Sequence, residues 1–342
     1  MTQSSASAGP SSVLPRRRLL AATAPAVLLP ALVPRGASSQ GAAHADWPTR
    51  PVRLVMPGGP GGNPDIVSRI FAQRLSEVLG QPFVVENRPG AAGIIGADIA
   101  MQAPPDGSTL LFGFNQLVSL NPLLYRRLPY DVARMTPIAR LTRTSFVMLV
   151  PRDFPAKSFD EFIALAKAQP GKLVHGNSGP GAISYLFGEL LRRDFGAELL
   201  SVTYRNTAVA ELIAGQVQLL IEPSALAVRL TQGPDAKVRA LVQLGPVADP
   251  ALPGVPVLRD THPRYVVTGW HGIWGPPGLP KPIPDRLSAT LVELKDDRWL
   301  RSKLDPLATY LHIMGPDGLI SSTAEDRAMW EGIIRDRNIV LD

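Results

Sequence analysis

Val52-Arg53-Leu54-Val55-Met56-Pro57-Gly58-Gly59-Pro60-Gly61-Gly62-Asn63-Pro64-Asp65-Ile66-Val67 sets an apolar run, a glycine-proline loop and a helix start in direct succession. An apolar run bounded by turn residues reads as a buried strand, here over 52–56. Asn63 suits an N-cap, Pro64 the first helical position, and Asp65 the positive end of the helix dipole. Beyond them Ile66, Val67, Ile70, Phe71, Leu75 and Val78 recur at helical spacing, and Gly80 offers a stop. Strand, loop and helix in this order are the opening of an α/β unit.

Working outward, the pattern continues. A strand over 83–86, a turn at Asn87-Arg88-Pro89-Gly90, a small-residue helix over 93–103 and a strand over 109–112 complete a first series. A second begins at Phe146, with a strand over 146–150 and a helix whose start, Ser158-x-x-Glu161, fits a capping box. A strand over 173–176 then meets another glycine loop, Asn177-Ser178-Gly179-Pro180-Gly181, ahead of a helix over 182–195. Strands over 200–203, 217–221 and 238–244 and a helix over 209–214 follow. From Ile283 the chain reads as helical and amphipathic, with Ser322-x-x-Glu325 as a second capping box. Alternating elements of this kind predict an α/β fold with parallel sheet.

The 342 residues exceed what one compact domain usually holds, so two are expected. A hydrophobic share of 45% against 19% charged residues belongs to a folded globular chain. At the N-terminus, Arg16-Arg17-Arg18 precede an acid-free, largely apolar stretch over 19–33, and small residues end in Ala43-His44-Ala45. That is the pattern of a cleaved export signal over 1–45, of the twin-arginine or the general secretory type, leaving Asp46 as the mature N-terminus. The segment contains four arginines; removing them from a formal +6 leaves +2. With no basic stripe interleaved with aromatics, nucleic acid is not an expected partner. The chain has no cysteine, which excludes disulfides, thiolate metal sites, a cysteine nucleophile and a lipid-modified cysteine.

Both glycine loops precede helix starts, where unpaired N–H groups and the dipole favour a carboxylate or phosphate. Two such loops on two lobes can clamp one anion from both sides. Simple tight turns are the competing reading. Signs of catalysis are poorer. Gly176-Asn177-Ser178-Gly179-Pro180-Gly181 misplaces the second glycine of a nucleophile elbow. No two of His44, His175, His262, His271 and His312 have metal-ligand spacing, so neither a metal nor a cofactor is expected. A secreted α/β hydrolase using Ser178, His271 and a distant aspartate is the alternative; His175 and His271 read more simply as packed beside strand ends.

Several blocks, in order, resemble the tripartite tricarboxylate transporter receptor family, also called Bug proteins. They include Trp47-Pro48-Thr49-Arg50-Pro51-Val52-Arg53, Pro60-Gly61-Gly62-Asn63-Pro64-Asp65 and Val84-Val85-Glu86-Asn87-Arg88-Pro89-Gly90-Ala91-Ala92-Gly93. Pro105-Asp106-Gly107-Ser108-Thr109-Leu110-Leu111, Asn121-Pro122-Leu123-Leu124-Tyr125, Leu252-Pro253-Gly254-Val255-Pro256 and Trp270-His271-Gly272 follow. The order of the blocks is more specific than any one of them.

The resemblance implies a type II periplasmic-binding-protein fold: two lobes around a ligand cleft, joined by two crossings. Lobe 1 should hold residues 46–145 plus 267–342, and lobe 2 residues 146–266. It also implies a monomeric, non-enzymatic periplasmic receptor for a small carboxylate, whether a di- or tricarboxylate, an amino acid or an aromatic acid. The receptor would serve membrane transporter subunits or a sensor kinase. Ligand groups would come from Gly58, Gly59, Gly61, Gly62 and Asn63 in the first loop and from Asn115 and Gln116 after the third strand. The second lobe would contribute Ser178, Gly179, Gly181, Ala182, Tyr204 and Glu222. Departures from the family pattern at Gly58, Pro64, Ala182, Tyr185 and Glu222-Pro223 leave fewer polar groups and more room. They suggest a ligand larger or more apolar than succinate or citrate, such as an aromatic carboxylate. A buried Glu222 needs a partner, for which Arg205 is a candidate.

Overall fold

The computed structural model describes residues 46–204 and 207–342. The expected export signal over 1–45, and Arg205, lie outside the described residues. The chain forms β1 (Val52–Met56), α1 (Asn63–Leu79), β2 (Phe83–Asn87), α2 (Ile94–Met101), β3 (Thr109–Phe114), a one-turn α3 (Asn121–Leu124) and β4 (Thr136–Pro151). Next come α4 (Phe159–Ala168), β5 (Val174–Asn177), α5 (Ile183–Phe195), β6 (Leu200–Thr203) and α6 (Val209–Ile213). They are followed by β7 (Leu220–Pro223), α7 (Ser224–Thr231), β8 (Val238–Gln243) and α8 (Leu258–Thr261). The last elements are β9 (Thr268–Gly269), β10 (His271–Gly275), α9 (Pro282–Glu293), α10 (Arg298–Leu304), β11 (Tyr310–Met314) and α11 (Pro316–Asp336).

β4 is the spine. Its first half runs antiparallel between β10 and β11 in a sheet ordered β11-β4-β10-β3-β1-β2, where β1 lies parallel to both β2 and β3. Thr144 and Ser145 pair with β9. From Phe146 onward the same strand lies between β7 and β8. One strand therefore serves two sheet regions, and β9, Trp270 and β10 return across the same junction. The sequence predicts a strand beginning at Phe146; it begins at Thr136. Pro137 cannot donate to a ladder and Arg140 and Arg143 interrupt the apolar pattern. Pro137 is accommodated where the β4–β10 register shifts.

β1, β3 and the second half of β4 are buried on both faces, which is why they read as continuous apolar runs. Leu54, Phe112 and Ile138 enter one core and Val55, Leu111 and Trp274 another. Along β4, Met148 and Val150 point into a third core, and Val147 and Leu149 into a fourth. α1 buries Val67, Phe71 and Leu75, a stripe at i, i+4 and i+8, while Ile66 and Val78 face solvent. Its N-cap is Gly62, not Asn63; Asn63 already has helical geometry, and its side chain donates to Thr309 Oγ1 at 3.3 Å.

Ser158 caps α4 as expected, accepting the Glu161 N–H at 3.2 Å. Ser322 caps nothing. It lies inside α11, donates to Gly318 O and accepts from Arg140 Nη1, each at 2.7 Å. The tail also holds a strand, β11, where the sequence predicts only helices. α11 starts against the first sheet's cores, with Leu319 beside Trp274, and ends in the core around Phe187 through Trp330, Ile333 and Ile334. No helix among the described residues is long and apolar enough to cross a membrane.

Candidate functional site: a cleft at the crossings

A cavity of about 220 Å³ opens where the two crossings meet. Asn63 and Pro64 at the start of α1 and Phe114, Asn115 and Gln116 after β3 form one wall. Ile183 at the start of α5, with Pro223 and Ala225 at the β7–α7 junction, forms the other. Between them lie Thr144 and Phe146 of β4 and Gly269, Trp270 and His271. Among the described residues, larger hollows include one of about 530 Å³ beside Arg152 and Arg239 and one of about 380 Å³ between Met135, Trp274 and Leu319. Each draws on one sheet region, whereas the cavity at the crossings draws on both and receives two helix starts. Among the described residues, no lysine or arginine lines it.

The first glycine loop is braced from below. Asp65 accepts the Gly61 N–H at 2.9 Å and Asn87 Nδ2 at 2.8 Å, and Asn87 Nδ2 also reaches Gly58 O at 3.1 Å. Arg69 pairs with Asp65 at 3.0 Å and donates to Asn87 Oδ1 at 2.8 Å. Burial pushes the Asp65 carboxyl up, but hydrogen bonds from Arg69, the Gly61 N–H and Asn87 outweigh it and hold it below its usual range. The Gly61 N–H, expected to face an anion, is thus taken by Asp65. Gly58, Gly59, Gly61 and Gly62 lie on the loop ahead of the cavity and are not among its lining residues.

The second loop is organised by Asn177, whose Oδ1 accepts from the Gly179 N–H at 2.9 Å and from Thr203 Oγ1 at 3.2 Å. Gly179 and Gly181 both have φ of 94°, a conformation glycine adopts without strain. Gly181 is buried, and a Cβ there would come within 3.0 Å of Leu341 and 3.2 Å of Leu124. The chain's last residues therefore pack beneath this loop. Ser178 is exposed, and its backbone N–H reaches Ser184 Oγ at 3.3 Å. Ser178, Gly179, Gly181 and Ala182 border the α5 side of the cleft without lining the cavity.

Asn115 lines the cavity with its donors already engaged. Its backbone N–H goes to Trp270 O at 3.1 Å, and its Nδ2 to Thr268 O at 3.1 Å and Asp326 Oδ2 at 3.0 Å. Asp326 also accepts from Trp270 Nε1 at 2.8 Å; burial pushes its carboxyl up to about 6, against the pull of these donors and of Arg140. Tyr204 packs against the core around Val217, and its N–H reaches Asn177 O at 2.8 Å. Glu222 is raised by burial and accepts from Thr207 Oγ1 at 2.6 Å. Of the thirteen expected ligand residues, the structure brings Asn63, Asn115 and Gln116 to the cavity wall and leaves the others around it.

His271, read from sequence as a packed residue, lines the cavity. Its ring stacks on Phe112 with centroids 5.7 Å apart, and its Nδ1 lies 2.8 Å from Thr142 Oγ1. Burial pulls its pKa down to about 4, so the ring is neutral at physiological pH. The signal that could have found it is its place directly after the crossing residue Trp270. Among the described residues no group of three His, Cys, Asp or Glu is placed to hold a metal.

Comparison with known proteins gives a consistent result. The family described as tripartite tricarboxylate transporter family receptor matches residues 67–338. A protein of Pseudomonas sp. (strain P51), described as UPF0065 protein in the tcbD-tcbE intergenic region, is 36% identical over 283 residues, covering 81% of each chain. A Rhodopseudomonas palustris protein solved with adipate superposes with a TM-score of 0.74 at 29% identity, covering 86% of this chain and all of that one. MatC of the same organism, solved with bound malate, gives 0.70 at 30% identity, covering 84% of this chain and all of that one.

Proposed function

This chain belongs to the tripartite tricarboxylate transporter receptor family, and we propose that it captures a small carboxylate in the cleft at the crossings and delivers it to a membrane transporter of that type. Family members are periplasmic solute-binding proteins, and the signal-like N-terminus supports export of this one. The observation that carries the reading is the convergence of the α1 and α5 starts on one cavity fed by both sheet regions. Their N–H groups can hold an anion on a wall where, among the described residues, no cationic side chain stands. Similar proteins solved with adipate and malate support a carboxylate as that anion.

Phe114, Phe146, Ile183 and Trp270 make the wall apolar, which favours the methylene chain of adipate or an aromatic ring over hydroxylated malate. Residues 46–145 with 267–342, and 146–266, are the bodies that close on the ligand, in a protein acting as a monomer. Turnover is not part of this reading: among the described residues Ser178 is exposed and makes no hydrogen bond to a histidine, and His271 Nδ1 is engaged with Thr142.

Calorimetric titration of the mature chain with adipate, malate and benzoate tests this. One-to-one binding of at least one acid, with a matching rise in melting temperature, is expected. Binding of none of the three, or hydrolysis of simple esters by the protein, overturns it.

A further inference from the structure

We infer that His271 contacts the solute directly, as a neutral imidazole donating its Nε2–H to an acceptor oxygen of the bound acid. The inference rests on the reading of the cleft as the solute site, and its geometry comes from the hydrogen bonds around Thr142. Thr142 Oγ1 accepts the backbone N–H of His271 at 3.2 Å, and the same oxygen lies 2.8 Å from Nδ1. A hydroxyl has one proton. With Thr142 fully buried, that proton goes to Nδ1, so Nδ1 is the acceptor and Nε2 carries the hydrogen. The opposite tautomer would leave Thr142 with two donors pointing at it and its own proton without a partner.

The placement supports the chemistry. Residues two apart on a strand share a face. Thr142 therefore sits with Thr144 on β4, and Thr144 lines the cavity as His271 does. Among the described residues His271 Nε2 makes no hydrogen bond, and its residue lines the cavity, whereas the Nε2 of His175 is buried and unpartnered. Its side-chain neighbours are less available. Asn115 Nδ2 is engaged twice, and Thr144 Oγ1 donates to Ala308 O at 3.3 Å.

A donor fixed in this way selects the solute. It welcomes a carboxylate or carbonyl oxygen at the floor of the cleft and opposes an ammonium group there, since no ring nitrogen is left to accept.

Nitrogen-15 spectra of the free protein should show His271 as the Nε2–H tautomer, and adipate should shift that resonance. His271→Gln, which retains an amide donor at similar reach, should bind adipate within about threefold of wild type. His271→Leu should lose about tenfold or more, as expected for a hydrogen bond to a charged group. 6-Aminohexanoate should bind more weakly than adipate to the wild type. Circular dichroism and melting curves establish that both variants fold. Wild type that binds neither adipate, malate nor benzoate overturns the receptor reading. An Nδ1–H tautomer, or a folded His271→Leu that binds adipate as tightly as wild type, overturns the assignment of His271 alone.

Discussion

His175 and His271 bring the same side chain into buried strands and end in different situations. The His271 ring meets the cleft; the His175 ring is closed in against α5, where a Cβ on Gly188 would run into its Cε1 and Nδ1. Glycine inside a helix costs about 1 kcal/mol relative to alanine, so Gly188 is there to admit the ring. Gly188→Ala should destabilise the protein by about 1–3 kcal/mol, the range for an overpacked core. In a His175→Ala background the same change should be neutral or stabilising. Urea denaturation of the four proteins measures the coupling, and additive effects would contradict the contact. The packing of His175 was legible in the sequence; the place of His271 at the cleft was signalled only by the neighbouring Trp270, because both histidines lie in strands and differ in what packs over them.

At the scale of elements, the strand–loop–helix over 52–79 was readable because its signals are local: an apolar run, turn residues, a proline and an acid in the first turn. The exact cap was not, since Gly62 and Asn63 are both acceptable and a tertiary contact with Thr309 decides between them. β4 was half hidden by Pro137, Arg140 and Arg143. Ser158 and Ser322 carry the same motif, yet only Ser158 follows an extended segment free to turn into a helix. Of the residues at the cavity wall, Asn63 was legible at a helix start, and Asn115 and Gln116 only through the family resemblance. What they can donate was not, because Asn115 is engaged by Asp326, 211 residues away. The Glu-Asn-Arg-Pro-Gly block gains a physical role through Asn87, which ties Gly58 O to Asp65. Asn87→Ala should speed amide hydrogen exchange over residues 58–62 and lower stability by about 1–2 kcal/mol. Unchanged exchange there would show that the loop holds its shape without this brace.

For the whole molecule, β4, the β9–β10 segment and α11 each touch both sheet regions, so the closure proposed above would be taken up by the crossings and by one end of α11. Acidity should weaken the assembly. His175 and His271 resist protonation down to about 4, whereas unfolded histidines take up a proton near 6.5. Between these values the unfolded chain binds more protons, so stability falls as pH falls, by at most about 1.4 kcal/mol per unit for each ring. Asp326, raised to about 6, has the opposite sign and offsets part of the loss below that pH. The urea midpoint should be lower at pH 5 than at pH 7; an equal or higher midpoint would contradict the burial of the two neutral rings.

The most direct test of carboxylate capture at the crossings is a crystal structure of the mature protein grown with adipate. The acid should lie between Asn63, Gln116 and Ile183, with one carboxylate oxygen within hydrogen-bond reach of His271 Nε2. Adipate bound in the basic hollow beside Arg152 and Arg239, with the cleft at the crossings empty, would contradict it.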